Sequence, residues 1–189
     1  MLRKKLLALG CAVAIVGVGA CFLPPEHVAP PPLPPYLGHI RTFSVEVQDA
    51  SGQDVIDGGA MSREVVSNFN QLWKEFILRA RQSRTSSPND PILRIKIVRK
   101  SASIFHVTDR RQEWAFDLKA SSTLTACDGR LLWQNPEQNT KFRMAFDKGL
   151  PSDGWNSREV RHEAAYWLAM DLGDSFYGLD LGTHQRSAP

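Results

Sequence analysis

Trp114-Ala115-Phe116-Asp117-Leu118-Lys119-Ala120-Ser121-Ser122-Thr123-Leu124-Thr125 is the stretch that decides the fold. Trp114, Phe116, Leu118, Ala120, Ser122 and Leu124 fall on one face, and Asp117, Lys119, Ser121, Thr123 and Thr125 on the other. A period of two sustained over this length is a half-buried strand. Asp128-Gly129 follows as a hairpin turn in which both positions need positive φ. Arg130-Leu131-Leu132-Trp133 then returns antiparallel. Beyond Asn135-Pro136, residues 141–146 alternate Phe142, Met144 and Phe146 with Arg143 and Ala145. This run either extends the returning strand past a bulge or forms a strand of its own.

Upstream, a strand begins at Ile92, with Leu93, Ile95 and Ile97 on one face and Arg94 and Lys96 opposite. Before it, Val65, Phe69, Leu72, Phe76 and Ala80 repeat at spacings of three and four, widened by Val66, Trp73 and Ile77. This is a helix with one apolar face. Ser62 is its expected N-cap. Arg79, Arg81 and Arg84 fall at its expected C-terminal end, where cations complement the helix dipole. Phe43, Val45 and Val47 alternate with Thr42, Ser44 and Glu46 in an earlier half-buried strand, and residues 49–59 read as loop. Downstream, Val160, Ala164, Leu168, Leu172 and Phe176 mark a second amphipathic helix, with Ala165 and Leu179 alongside. Asn156 and Glu159 resemble a capping box at its start, and Gly178 and Gly182 end it. The order strand, helix, three or four antiparallel strands, helix gives an α+β fold. It is a two-layer sandwich, with a mostly antiparallel sheet of about four strands and two helices on one face.

The N-terminal residues answer a different question. Arg3-Lys4-Lys5 precede an apolar run from Leu6 to Val18, too short to span a bilayer. Gly19 and Ala20 lead directly to Cys21, and Val18-Gly19-Ala20-Cys21 resembles the lipobox of bacterial lipoproteins. The resemblance implies cleavage between Ala20 and Cys21, acylation of Cys21 and anchoring in a membrane through that lipid. More than one acyl chain gives stable anchoring. Phe22 stands where an Asp favours inner-membrane retention in enterobacterial lipoproteins, which points to the outer membrane. Residues 24–35 hold seven prolines in twelve positions, so this segment is a polyproline spacer. At about 3.1 Å per residue it reaches roughly 35 Å. The expected organisation is a signal peptide at 1–20, a lipidated tether at 21–36, a folded domain at 37–182 and a tail at 183–189.

Charge and chemistry narrow the function. Three of the chain's 23 Lys and Arg lie in residues 1–20, which hold no acid. The part from Cys21 therefore carries 20 of each sign, with no cationic surplus for nucleic acid. Cys11 leaves with the signal and Cys21 takes lipid, so Cys127 has no internal disulfide partner and is expected as a small packed residue. His162-Glu163 begins like a zinc H-E-x-x-H motif, but Tyr166 stands at the second His position. Gly173-Asp174-Ser175-Phe176 resembles an esterase nucleophile block, yet it falls inside the second helix. There is no G-x-S-x-G, no phosphate-binding loop and no Cys/His cluster, so no cofactor or enzymatic activity is expected. Arg94, Lys96, Arg99 and Lys100, with Arg110 and Arg111 beyond, form a basic concentration. Gathered at one end of the sheet they would meet an anionic lipid headgroup. Spread over its face they guard solvated strands against aggregation, and charge alone favours this second reading.

The lipobox, the strand Ile40-Arg41-Thr42-Phe43-Ser44-Val45, the hairpin Asp128-Gly129-Arg130-Leu131-Leu132-Trp133-Gln134-Asn135-Pro136 and the helix Glu163-Ala164-Ala165-Tyr166-Trp167-Leu168-Ala169 together resemble the lipopolysaccharide-assembly lipoprotein family LptE, in its non-enterobacterial form. The resemblance covers about residues 37–180. It implies a non-enzymatic partner and plug of the LptD-type β-barrel at the outer membrane, with lipopolysaccharide as a further contact. The chain departs from the family in its long proline tether, its 49–59 loop and its polar tail. A lipoprotein activator of a cell-wall synthase and an auxiliary lipoprotein of a lipid-transport ABC system are the alternatives.

Overall fold

The computed structural model describes residues 33–52, 54–83 and 89–178. The signal segment, Cys21, most of the tether, Arg84, Leu179, Gly182 and the tail lie outside them. The elements are β1 (Thr42–Asp49), α1 (Gly58–Leu72), β2 (Arg79–Gln82), β3 (Ile92–Val107), β4 (Gln112–Thr125), β5 (Leu131–Phe146) and α2 (Arg158–Tyr177). The strands form one sheet in the order β2-β1-β3-β4-β5. β1 runs parallel to β2 and β3, and the β3-β4-β5 ladders are antiparallel. α1 packs on α2, β1 and β2, and α2 on β5, so one face is covered by helices. The expected α+β sandwich and element order hold, with β2 as an additional short strand.

The core follows the alternation. Leu93, Ile95 and Ile97 of β3 and Phe116, Leu118, Ala120 and Leu124 of β4 are buried, while Arg94 and Lys96 are exposed. Phe43, Phe69 and Phe176 meet edge to face at centroid distances of 5.3 to 6.2 Å, joining β1, α1 and α2. Trp133 lies 4.5 Å from Phe176. Phe116 stacks on Phe142 at 4.9 Å, with Trp155 edge-on at 5.2 Å. Such pairs contribute about 0.5–1.5 kcal/mol each beyond their buried area.

Four local expectations are corrected. α1 starts at Gly58, not near Ser62, and its N-cap is Asp57, whose carboxylate accepts from Gly59 N at 2.9 Å and Ala60 N at 3.1 Å. The helix can begin there because Gly58 has no Cβ, which would run into the Val47 carbonyl. Ser62 instead accepts a hydrogen bond from Val47 N at 3.0 Å. α1 stops at Leu72, so Phe76 and Ala80 enter the core from a turn and a strand. Arg79 does not extend the helix, yet its guanidinium donates to the carbonyls of Trp73, Lys74, Phe76 and Leu78 in that turn. α2 is capped by Ser157, which accepts from Val160 N at 3.3 Å, and not by Asn156. Asn156 accepts from Asp57 N and donates to Val55 O, both at 2.9 Å, tying together the entries of the two helices.

At the β4–β5 turn only Gly129 has positive φ, at 83°. Gly129 N donates to Ala126 O and Ala126 N to Arg130 O, so a four-residue turn closes on a left-handed glycine rather than on two. Cys127 sits in that turn exposed, not packed. β5 is one strand through residue 146. Ala120 faces Gln138 and Ser122 faces Asn135, which leaves Pro136 and Glu137 in a bulge.

Candidate interaction surface

The strands differ in length, and that difference makes the surface. β1 ends at Asp49, opposite Ile97, whereas β3 runs on to Val107, opposite Gln112 of β4, which faces Phe146 of β5. The last ten residues of β3 thus run past the end of β1 as the outer strand of a three-stranded arm, about 30 Å long at roughly 3.3 Å per residue. Ile104, Phe105 and Val107 near its tip are more than half exposed. The 3-10 turn Pro35–Leu37 feeds β1 from the opposite end of the sheet, so the tether enters away from the arm tip.

Two bulges divide β3, between Ile97 and Arg99 and between Ile104 and His106. The first reverses the faces. Without it Lys100 would share the solvated face with Arg94 and Lys96; with it Lys100 pairs opposite Leu118 and turns toward the helix side. There its ammonium lies 2.7 Å from the Asp49 carboxylate, with both side chains almost wholly buried. Burial alone would raise the Asp49 carboxyl, but hydrogen bonds from Ile56 N, Lys100, and Ser51 through its hydroxyl and its N–H hold it below the ordinary carboxylate value. Lys100 is therefore locked into the 49–56 loop and cannot meet a lipid headgroup, which corrects its place among the candidate contacts.

Arg94, Lys96 and Arg99 lie in a row on the bare face, opposite Thr123, Ser121 and Lys119. They do not converge at one end. Arg94 pairs with Glu46 at 3.2 Å, while across the same face Lys119 pairs with Glu137 at 3.6 Å and Lys141 with Asp117 at 3.7 Å. Arg143 lies 3.6 Å over the Phe105 ring, a cation–π contact of about 0.5–1 kcal/mol where exposed. Toward the tip, Arg111 pairs with Asp147 at 3.3 Å. Among the described residues Lys96, Arg99, Arg110 and Lys148 make no ion pair.

The β2 side of the sheet is closed by side chains. Asn70 donates to Ala80 O and accepts from Ala80 N, both at 2.9 Å, taking the place of a neighbouring strand beside β2. Ser62 takes the Val47 N–H where β2 ends, and the Tyr177 hydroxyl accepts from Leu78 N at 3.4 Å. Burial raises the Tyr177 hydroxyl above the ordinary phenol value, partly offset by that bond and by Arg79. At the other edge β5 is interrupted by Pro136 and its bulge, and residues 138–146 beyond them run in regular register along β4.

The other candidates gather into nothing catalytic. His162 Nδ1 lies 3.1 Å from Glu64, linking α2 to α1, while Glu163 accepts from Trp167 Nε1 at 2.9 Å. Asp174 and Ser175 lie inside α2, as read from the sequence. Among the described residues no group of three His, Cys, Asp or Glu could hold a metal, and no helix is long and apolar enough to cross a membrane. A cleft of about 660 Å³ opens at the tether end, beside Pro35, Arg41, Asp90 and Arg130. Two of its charged groups are committed: Arg41 donates to Gly38 O and Ile40 O, and Asp90 accepts from Thr42 Oγ1. Sequence reasoning missed the arm and the closing role of Asn70. The unequal strand lengths were the one available signal for the arm.

No family model matches the chain, and no curated protein does. Among solved structures it is similar to a minor lipoprotein of Acinetobacter baumannii, at 10% identity over 77% of this chain and 97% of that one, with a TM-score of 0.39. It is similar to rare lipoprotein B of Shewanella oneidensis at 9% identity, over 72% and 98%, with a TM-score of 0.32. A lipoprotein of Neisseria meningitidis matches at 13% identity over 71% and 99%, with a TM-score of 0.35. Superposition at this level says nothing of function.

Proposed function

We propose that this chain is a lipid-anchored, non-enzymatic protein of the bacterial outer membrane that assists lipopolysaccharide assembly as the partner of an LptD-type β-barrel. The lipobox at Cys21 and the family resemblance of residues 37–180 supply the location and the class. The observation that carries the reading is the polarity of the domain. The tether enters at one end of the sheet, and the arm, with its bare face and exposed tip, occupies the other. Such a shape presents an extended protein-contact surface. In the cleft at the tether end, Arg41 and Asp90 are already engaged by the protein itself.

Copurification tests this. The tagged full chain, extracted in mild detergent, is expected to bring down a large outer-membrane barrel. Recovery of only a penicillin-binding protein or an inner-membrane ABC complex overturns the reading.

A further inference from the structure

The sheet ends at β2 on one side and at β5 on the other. Asn70 closes the β2 side, but residues 138–146 of β5 keep regular register against β4, and among the described residues no hydrogen bond reaches the outer backbone groups of this run. Its side chains alternate. Asn139, Lys141, Arg143 and Ala145 stand exposed on the bare face, while Gln138, Thr140 and Phe142 are buried and Met144 and Phe146 half-buried on the helix side. α2 overlies the first part of the run, where Gln138 Nε2 donates to Leu168 O at 3.3 Å and Thr140 Oγ1 to Asp171 at 2.6 Å. From Phe142 onward the strand runs past those two contacts.

We propose that this outer edge of β5 pairs antiparallel with the same edge of a second copy of the chain, about a two-fold axis beside Met144. Around such an axis the numbers of paired residues have a constant sum, and helix-side residues meet helix-side residues. An axis at Lys141 or Arg143 would set each of these cations opposite itself, and an axis at Phe142 would set Lys141 opposite Arg143. Like charges directly opposite destabilise a strand pair. An axis at Met144 instead sets Lys141 opposite Asp147 of the second copy, Arg143 opposite Ala145 and Phe142 opposite Phe146, each twice. An axis at Ala145 also finds a charge match, Arg143 with Asp147, but shortens the pairing and loses the phenylalanine pairs. An axis nearer Gln138 would run the strands into the Pro136 bulge and bring the two α2 helices together. Ile104, Trp114 and Met144 lie in register across the arm, so pairing at Met144 joins two such rows into one apolar row across six strands.

The spacing of charges is what singles out a second copy as the occupant. Lys141 and Asp147 stand equally far from Met144 on either side, so the edge is complementary to itself. Lys141 already pairs with Asp117 at 3.7 Å and Asp147 with Arg111 at 3.3 Å, and the new contact links these exposed pairs into one network. A pairing this short buries less than ~1,200 Å², which makes the dimer a weak one. It leaves the bare face and Ser103 of β3 uncovered and stands independently of which barrel or complex the protein joins.

Disulfide trapping of the full chain in mild detergent tests this, with Cys127→Ser removing the exposed thiol of the β4–β5 turn. In a glutathione redox buffer, Met144→Cys on that background is expected to form a covalent dimer in at least tenfold excess over the Cys127→Ser parent, which reports any other thiol. Lys141→Cys, placed opposite Asp147 and not opposite itself, should stay near the parent. Asp147→Lys, which sets a Lys opposite Lys141, should lower the Met144→Cys dimer about fivefold. Urea midpoints check that each variant folds. Where Met144→Cys lowers its midpoint, light scattering of the parent decides: a mass that rises toward the dimer with concentration supports the proposal, and a monomer mass at every concentration overturns it. Three other results overturn it: no excess dimer from folded Met144→Cys, equal trapping from Lys141→Cys, or undiminished trapping with Asp147→Lys.

Discussion

The indole of Trp73, just past α1, lies where a Cβ on Gly173 of α2 would be, and its Nε1 donates to the Ala169 carbonyl at 3.0 Å. Any side chain at 173 would overlap that ring. Gly173 is therefore a packing residue, although it sits in a helix interior, where glycine costs about 1 kcal/mol relative to alanine. Gly173→Ala is expected to destabilise the domain by about 1–3 kcal/mol through overpacking, despite the gain in helix propensity. Urea unfolding measures this, and a stabilised variant would show that the helices do not meet as described.

Asp49 and Lys100 give a test of the arm's root. Removing the carboxylate with Asp49→Ala takes the counter-charge from a buried ammonium, a loss of about 3–5 kcal/mol for a buried pair. Replacing both, Asp49→Ala with Lys100→Met, should be less harmful than Asp49→Ala alone. A double variant worse than the single one would mean that the pair is not buried together.

The same carboxylate sets a pH dependence. Its folded pKa lies below its unfolded value, which is about 3.9. The stability it contributes is thus fully present above pH 4 and is lost as pH falls through the lower folded value. Unfolding midpoints between pH 7 and pH 3 should fall more steeply for the parent chain than for Asp49→Asn. Parallel curves would rule this contribution out.

Asn70 stands in for a missing strand. Asn70→Ala should leave the N–H and C=O of Ala80 unpaired, at a cost of about 1–3 kcal/mol. The readout specific to this role is faster hydrogen exchange at the Ala80 amide, with the Val45 amide of β1 unaffected. Unchanged exchange at Ala80 would assign its protection to another group.

Much of this was legible in the sequence. The two-residue alternation of β4 and of the first half of β3 gave the sheet and its buried face, and the stripe from Val160 to Phe176 gave α2. β2 was hidden because four residues carry too little pattern and because Phe76 and Ala80 continue the α1 spacing beyond the point where the backbone leaves it. The place of Lys100 was hidden for a different reason. One inserted residue at a bulge moves every later side chain to the other face, and a period count passes over it. Arg99-Lys100 was the clue, since adjacent strand residues cannot both face solvent on one side. The basic concentration read from Arg94, Lys96, Arg99 and Lys100 therefore resolves into a row of three solvated cations and one buried ion pair. Tertiary closure of edges by Asn70, Ser62 and Tyr177 leaves no local signature at all.

Cys21 has its own test. Cys21→Ala should lose metabolic acyl labelling and detergent-phase partitioning, while the folded domain keeps the unfolding midpoint of the parent. Persistent acyl labelling would place the lipid elsewhere.

Site-specific photo-crosslinking in cells, from Ser103 on the arm and from Lys74 beyond α1 as control, tests the central claim most directly. Both residues are exposed. The account predicts an adduct from position 103, and not from 74, with a large outer-membrane β-barrel protein. Adducts from 103 only with a penicillin-binding protein or an inner-membrane ABC complex, or from 74 alone, would contradict it.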